Sequence, residues 1–85
     1  MITELKDTIF LMTSKDYKDR FKAEFYQTKI RYNKLKQSLD NIIKDNLSSE
    51  TYRSILILEL QAQCMKNYLD ILVSRAINEG IEIEY

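Results

Sequence analysis

The residues best suited to binding chemistry lie in one stretch, residues 16–39, which reads DYKDRFKAEFYQTKIRYNKLKQSL. Over residues 15–36 there are eight basic and three acidic residues, a surplus of five positive charges, and Tyr17, Tyr26 and Tyr32 are interspersed among them. Guanidinium groups pair with phosphate oxygens in a forked geometry, and tyrosine rings offer flat faces on which bases stack. The pattern is therefore typical of a site for a ligand that carries both phosphates and bases.

A purely structural interpretation of the same stretch is also open. A solvated helix face with aromatic core members contains the same residue types, and the pattern taken alone favours this interpretation. Tyr32 falls on the apolar seam described below, whereas Tyr17 and Tyr26 lie off it and are freer to meet a ligand. Arg31 and Arg75 fall beside the seams, where a second copy of the chain would dock.

Catalytic chemistry is not expected from this sequence. The chain has no histidine, which excludes Ser-His and Cys-His nucleophiles, and its one glycine, Gly80, cannot form a glycine-rich phosphate loop. Its one cysteine, Cys64, allows neither an intramolecular disulfide nor a cysteine-based metal site, and we expect it to be a small buried hydrophobe in a packing stripe. Glu82 and Glu84 lie on a terminal tail rather than in an acid-base pair. We therefore expect no enzyme, no cofactor and no metal.

The composition predicts one small helical domain. The chain has 85 residues, is 45% apolar and 31% charged, and contains no proline. Domains of this size bury only roughly 60% of their unfolded surface and usually need additional stabilisation. Because disulfides and metals are not expected, we expect oligomerisation to provide it. There is no signal-peptide pattern and no apolar run of about 20 residues, so we expect a soluble intracellular protein. A net charge of zero argues against a nucleic-acid-coating protein.

Two long helices position the candidate residues. The first helix is predicted over 14–44, and it starts with a pattern like a capping box at Thr13 and Asp16. A turn over 45–49 leads to the second helix, predicted over 50–79. Ser48 or Ser49 caps this helix, and Glu50 lies at its positive end. Apolar residues repeat at alternating spacings of three and four in both, so each helix has a seam for an antiparallel partner. The seam of the first helix is Phe21, Phe25, Thr28, Tyr32, Leu35, Leu39 and Ile42. The seam of the second is Ile55, Leu58, Ala62, Met65, Leu69, Leu72 and Ala76.

The predicted fold class is all-α: an antiparallel two-helix hairpin with a short N-terminal helix, a single domain over residues 1–85 that assembles into a homo-oligomer. Residues 1–12 form the lead-in helix, and residues 80–85 form a tail. Gly80 ends the second helix in the left-handed conformation. The tail then either alternates like a short strand or folds Ile81 back on the last helical turn.

Apolar residues outside the seams predict contacts with another copy. The second helix is apolar around most of its circumference, which indicates burial on more than one side. The first helix carries a smaller extra patch that has no partner in a two-helix unit. The predicted oligomer interface comprises Ala23, Tyr26, Ile30, Ile57, Leu60, Cys64, Tyr68 and Ile71.

The sequence resembles a family of short phage and prophage proteins. The resemblance is carried by Arg20 and Glu24, by Arg31 followed by Lys34-Leu35, by Gln61, Met65, Tyr68, Ile71-Leu72 and Arg75 in the second helix, and by the ending Arg75-Ala76-Ile77-Asn78-Glu79-Gly80-Ile81; it covers roughly residues 13–81. These proteins share a helical-hairpin domain with the phage sponges that counter the bacterial CBASS and Thoeris defences. The resemblance implies a homo-oligomer, often a hexamer, in the host cytoplasm. It would capture a cyclic nucleotide or cyclic ADP-ribose-type signal between protomers without cleaving it. By residue type, the ligand-binding candidates are Tyr17, Arg20, Tyr26, Lys29, Arg31 and Arg75.

Two other functions remain open. The chain would also serve as a protein-interaction module, a hairpin that blocks a host protein by adding a helix to its groove. In that case Ile57, Cys64 and Ile71 would matter more than Arg20 or Arg31. Nucleic-acid binding through the basic stretch is a weaker alternative, and a steep salt dependence would reveal it.

Overall fold

The computed structural model describes residues 2–45 and 49–84, with the side chains of residues 2–42 and 52–84. A short 3-10 helix, Leu5–Thr8, runs into α1, Ile9–Met12, and two long helices follow, α2, Tyr17–Asp45, and α3, Ser49–Glu79. These two helices pack against each other. The prediction of an all-α fold built on two long paired helices is confirmed. Residues 46–48 of the turn predicted over 45–49, and the side chains of the predicted capping residues Ser48, Ser49 and Glu50, lie outside the described residues.

The seam between α2 and α3 divides into two apolar clusters. The larger lies at the end away from the connection between the helices, where Phe25 and Leu72 are fully buried; its buried members are Phe21, Phe25, Leu69, Leu72, Ala76 and Ile81. The smaller lies nearer the connection and contains Leu39, Ile55 and Ala62. All of these except Ile81 belong to the predicted seams, because a three-four spacing keeps one stripe of each helix facing its partner.

The start of α2 differs from the predicted cap. The helix begins at Tyr17, and the Oδ1 atom of Asp16 accepts a hydrogen bond from the backbone amide of Lys18 at 2.9 Å. Ser14 supports this cap: its hydroxyl accepts from the Asp16 amide and donates to Asp19. Asp16 therefore satisfies an otherwise unpaired amide of the first turn. The predicted capping box that starts at Thr13 is wrong, because Thr13 instead closes α1 by donating its hydroxyl proton to the carbonyl of Ile9.

The lead-in segment folds back onto α2. Thr8 is completely buried, and its hydroxyl oxygen accepts a hydrogen bond from the side-chain amide of Gln27 at 2.9 Å. The same amide lies 3.4 Å from the sulfur of Met12. Residues 2–12 therefore pack as a third layer on the side of α2 that carries Ala23 and Gln27, which are one helical turn apart.

The C-terminus of α3 is closed by a Schellman motif. Gly80 has a φ of 69°, the amide of Ile81 donates to the carbonyl of Ala76 at 2.8 Å, and the amide of Gly80 donates to the carbonyl of Ile77. Ile81 is thereby turned into the larger apolar cluster, with 6% of its surface exposed. Of the two alternatives for the tail, the structure shows the one in which Ile81 folds back. The following residues cross α2, where the amide of Glu84 donates to the hydroxyl of Tyr26.

We predict that the lead-in segment loosens in acid. The carboxylate of Asp7 accepts hydrogen bonds from the amides of Thr3 and Glu4, at 3.1 and 2.9 Å, and these bonds hold the pKa of Asp7 below its usual value of about 3.9. Because the folded pKa is the lower one, the stabilisation is complete above the unfolded pKa and disappears as the pH falls through the folded pKa. Intrinsic amide exchange slows as the pH falls from 5 toward about 3, so the quantity to follow by NMR is the protection factor, and at Thr3 and Glu4 it should fall between pH 5 and pH 2 as Asp7 is protonated. Asp7→Asn should remove that pH dependence, and an unchanged profile in this variant would contradict the assignment.

Candidate ligand-binding surface

The antiparallel packing brings four of the six ligand-binding candidates into two groups of contacts near the end of the hairpin where α2 starts and α3 finishes. Tyr17 and Arg75 are in direct contact. Tyr26 and Lys29, one turn apart on α2, meet the C-terminal tail. The other two candidates, Arg20 and Arg31, are exposed and belong to neither group. The structure thus divides the predicted site into two adjacent polar clusters.

The first cluster is a closed network of Tyr17, Arg75 and Glu79. One guanidinium nitrogen of Arg75, Nη2, donates to the Tyr17 hydroxyl at 2.7 Å, and Nε lies 3.3 Å from a carboxylate oxygen of Glu79. The Tyr17 hydroxyl in turn donates to the other oxygen of Glu79 at 2.9 Å. The guanidinium also lies 4.9 Å from the centre of the Phe21 ring, a cation–π distance. Arg75 is therefore held in one orientation by three neighbours.

The surroundings of Arg75 keep it cationic. Desolvation acts to lower the pKa of the guanidinium, but the hydrogen bond to Glu79 and the closeness of Tyr17 outweigh it and raise the pKa above its usual value. The side chain still exposes 43% of its surface. A fixed, partly exposed guanidinium is suited to pairing with a phosphate or a carboxylate, although Glu79 already neutralises part of its charge.

The second cluster surrounds the tail. The ammonium of Lys29 lies 3.4 Å from the carbonyl oxygen of Glu84 and 6.0 Å from the centre of the Phe25 ring. The Tyr26 hydroxyl accepts a hydrogen bond from the Glu84 amide at 3.0 Å. These contacts occupy the Tyr26 hydroxyl and the Lys29 ammonium, which the sequence pattern assigns to a ligand. A ligand at Tyr26 or Lys29 therefore has to share the surface with the tail.

Two cavities adjoin this cluster. One, of about 510 Å³, lies between α2, α3 and the tail, and its lining includes Lys22, Tyr26, Ile77 and Glu82. The other, of about 430 Å³, lies between the lead-in segment and α2, and its lining includes Thr3, Tyr26, Lys29, Ile30, Asn33 and Glu84. Volumes of this order fall in the range of small-molecule sites. Both combine apolar walls with lysine and tyrosine side chains.

The prediction from sequence missed three residues that line or complete these clusters. Lys22 is one turn before Tyr26 on α2 and borders the larger cavity. Asn33 is one turn after Lys29 and borders the smaller one. Glu79 is one turn after Arg75 and pairs with it. All three could have been found from the sequence, because each lies four residues from a predicted ligand-binding residue and so on the same helix face.

The two remaining candidates differ in their contacts. Arg20 donates from Nη1 to the carbonyl oxygen of Ser14 at 3.0 Å, so it supports the start of α2. Arg31 lies in the middle of α2, is exposed, and is outside both cavities. The structure does not bring either residue together with the two clusters.

The predicted interface residues of α2 have neighbours within the same chain. Ala23 is buried, at 2% exposure, on the side of α2 that the lead-in segment covers, so it has no surface left for a second copy. Tyr26 bonds to the tail, and Ile30 lines a cavity together with Thr3 of the lead-in. The patch has no partner in a two-helix unit, as predicted, but the lead-in segment and the tail of the same chain provide neighbours that a two-helix picture omits.

The predicted interface residues of α3, in contrast, are exposed. Ile57, Leu60 and Ile71 expose 60%, 69% and 56% of their surface, Tyr68 exposes 39%, and Cys64 is exposed as well. The expectation that Cys64 is buried does not hold within one chain. We refer to Ile57, Leu60, Cys64, Tyr68 and Ile71 together as the α3 stripe. An exposed apolar stripe of this length on a helix is typical of a surface that contacts another molecule.

No helix in residues 2–45 or 49–84 has the length and hydropathy needed to cross a bilayer. The sequence model of the Sequestin family matches residues 15–78, which include all of α2 and nearly all of α3. No curated protein and no solved structure matches the chain.

Proposed function

The chain belongs to the Sequestin family, and on that premise we propose that it sequesters a phosphate-bearing signal, a cyclic nucleotide or a cyclic ADP-ribose-type molecule, without cleaving it. The observation that carries the proposal is the family match across both long helices, since the family name suggests sequestration. We further propose that the protein acts in the host cytoplasm, as a phage sponge that withdraws an immune signal of the CBASS or Thoeris type.

The two polar clusters support this choice of ligand class. Tyr26 and Lys29 offer an aromatic face and an ammonium beside the cavities, and Arg75 offers a guanidinium held by Tyr17 and Glu79. Stacking and phosphate pairing are the two contacts that a nucleotide needs. The absence of histidine from the sequence supports capture rather than hydrolysis.

Assembly is the second part of the proposal. We propose that the sponge is a homo-oligomer, a hexamer in the form that the family resemblance implies, and that the α3 stripe forms contacts between copies. Shared pockets between copies would add residues to clusters that are shallow in a single chain. The retained ligand would then dissociate slowly because several copies enclose it.

Native mass spectrometry with a mixed panel of cyclic dinucleotides, cyclic trinucleotides and cyclic ADP-ribose isomers tests the proposal. We expect one class to add its intact mass to the protein, and heating should release that molecule chemically unchanged. Retention of no panel member, together with no shift of the melting temperature, would contradict the proposal. Release of a hydrolysed product would contradict capture without cleavage.

A pair of lysine variants tests where the ligand binds. Lys29→Ala removes a cation that borders the smaller of the two cavities, and we expect roughly 10- to 100-fold weaker binding of the retained panel member, the usual effect of losing a charged hydrogen bond. Lys34→Ala removes the same charge from an exposed position of α2 and should stay within about twofold of wild type. Isothermal titration calorimetry measures both. Equal effects in the two variants would show that only the overall charge matters.

The exposed α3 stripe favours a second function, the blocking of a host protein. An amphipathic helix with an apolar stripe fits a groove on another protein as well as it fits a copy of itself. The two functions differ in the mass spectrum of the protein purified from its host. A stoichiometric host protein with no small-molecule ligand would favour the second.

A further inference from the structure

The α3 stripe has the same spacing in both directions along the helix. From Cys64 outward, the next members are four residues away on either side, Leu60 and Tyr68, and then three further on, Ile57 and Ile71. An arginine follows after another four residues at each end, Arg53 and Arg75. At about 100° per residue, all seven side chains start within about 40° of the direction of Cys64.

The flanks of the stripe are equally symmetric. Gln61 and Asn67, three residues to either side of Cys64, are neutral amides about 60° from its centre. The charged residues between the two arginines, Glu59, Lys66 and Asp70, all start more than about 100° away. The face is thus apolar and uncharged in the middle and cationic at both ends.

The size of the face fits a stable contact. The stripe exposes on the order of 500 Å² of mostly apolar area, which is in the upper range for patches on monomers, and the flanking amides and arginines extend it toward the roughly 800 Å² per partner of a standard interface. Leu56, at 44% exposure, continues the four-residue ridge of Leu60, Cys64 and Tyr68. Such ridges interdigitate when two helices cross at about −50°.

We infer that a second copy packs antiparallel on the α3 stripe about a two-fold axis at Cys64, and that Arg53 of the partner subunit then joins Arg75 in an anion site at each end. Isologous contacts of this kind require a surface that complements itself in the reverse direction, which the spacing provides. Ile57 meets Ile71 of the partner subunit, Leu60 meets Tyr68 of the partner subunit, and the two Cys64 side chains face each other.

The two arginines explain why the ends of the contact need an anion. Arg53 and Arg75 each lie 11 residues from Cys64, about 16 Å along the helix, where two helices crossing at −50° have diverged to about 17 Å between axes. Glu79 offsets part of the charge of Arg75, and an anion between the two guanidinium groups would offset the repulsion that remains. The cleft between the two arginines therefore stays open, and a phosphate fits between them.

A depression on α3 lies at this position. It has a volume of about 350 Å³, and Asp70, Ile71, Ser74, Arg75 and Asn78 line it. One copy supplies the floor and a guanidinium held by Tyr17 and Glu79, and Arg53 of the partner subunit supplies the second cation. The site is incomplete without the second copy. Its ligand class, a phosphate-bearing nucleotide, rests on the proposed function.

Disulfide cross-linking tests the register. Oxidation of the wild-type protein with diamide should join two chains through Cys64, and Cys64→Ser should abolish the product on a non-reducing gel. In the Cys64→Ser background, Ile57→Cys with Ile71→Cys should again give cross-linked chains, and peptide mass spectrometry should find residue 57 joined to residue 71. Ile57→Cys alone should give none, because in an antiparallel pair the two copies of residue 57 lie about 21 Å apart along the axis.

Three results would overturn the register: cross-linking through Ile57→Cys alone, which requires parallel helices; no cross-link in any variant; or a monomer by sedimentation. If a host protein binds the stripe in place of the second copy, no variant should cross-link and the protein should sediment as a monomer. Circular dichroism of each variant verifies that the helices are intact.

Inorganic phosphate serves as the probe of the arginine site. At constant ionic strength, replacing chloride by 50 mM phosphate should tighten the dimer several-fold by sedimentation, since an anion that binds only the dimer favours it. Arg53→Ala should remove this gain, and Lys34→Ala, which removes an exposed basic residue of α2, should retain it. No gain in the wild type would overturn the arginine site.

These measurements are independent of the sponge assay. Cross-linked chains that retain no panel nucleotide would disprove the proposed function and leave the dimer standing. A retained nucleotide with no 57–71 cross-link would disprove the dimer and leave the proposed function standing.

Discussion

Replacing Phe25 with alanine is expected to remove about 3–5 kcal/mol from the free energy of unfolding, which is of the same size as the stability that a single small core supplies. Phe25 exposes 1% of its surface and sits in the larger apolar cluster with Phe21, Leu69 and Leu72. Its ring is also the edge-to-face neighbour of Tyr26, with centroids 5.4 Å apart. The variant should lose most of its helical circular dichroism at 25 °C or melt well below the wild type.

Phe10 provides the matched control. It is the same residue type in α1, but it exposes 89% of its surface. Phe10→Ala should change the unfolding free energy by no more than about 0.5 kcal/mol. Urea unfolding of both variants at one protein concentration makes the comparison, since an oligomer's stability depends on concentration. Similar destabilisation by the two substitutions would contradict the assignment of the core.

Replacing Leu60 with glutamate is expected to dissociate the proposed oligomer. Leu60 is 69% exposed in one chain, so the substitution should leave the fold intact, but a two-fold contact would bury the new carboxylate twice. A buried carboxylate without a partner costs several kcal/mol, so the dissociation constant should rise by at least about 100-fold. Sedimentation velocity at a fixed concentration measures the change. Ligand retention should fall with assembly.

Ile77 is the control for this prediction. It is also an exposed apolar residue of α3, at 73% exposure, but it lies off the α3 stripe. Ile77→Glu should leave the assembly unchanged. If Ile77→Glu dissociates the protein and Leu60→Glu does not, the contact uses another face of α3.

The core could be predicted from sequence because burial follows the helical period. Phe21, Phe25, Leu69 and Leu72 are spaced so that only one packing of two long helices buries all of them. The meeting of Tyr17 with the last turns of α3 follows from the same geometry, since an antiparallel hairpin places its first residues beside its last. This part of the candidate site can therefore be predicted from the spacing of apolar residues along the two helices.

The lead-in and the tail could not be placed in this way. No periodic pattern shows that Thr8 accepts a hydrogen bond from Gln27 or that the Glu84 amide reaches Tyr26, because these contacts join segments 19 and 58 residues apart. They cover the patch around Ala23 that a two-helix picture leaves open. The capping of α2 by Asp16 was also undetermined, since Thr13, Ser14 and Asp16 are all suitable cap residues and tertiary contacts decide among them.

The uneven distribution of the core has a consequence for the proposed binding of a ligand. The larger apolar cluster, with Phe25 and Leu72 completely enclosed, lies at the same end of the hairpin as Tyr17, Tyr26, Lys29 and Arg75. Slow hydrogen exchange is expected there, and faster exchange near the smaller cluster of Leu39 and Ile55. The polar side chains thus lie on the part of the described chain where we expect the slowest exchange. Preorganisation of this kind reduces the entropy lost on binding, so a modest number of contacts can hold a small molecule for a long time.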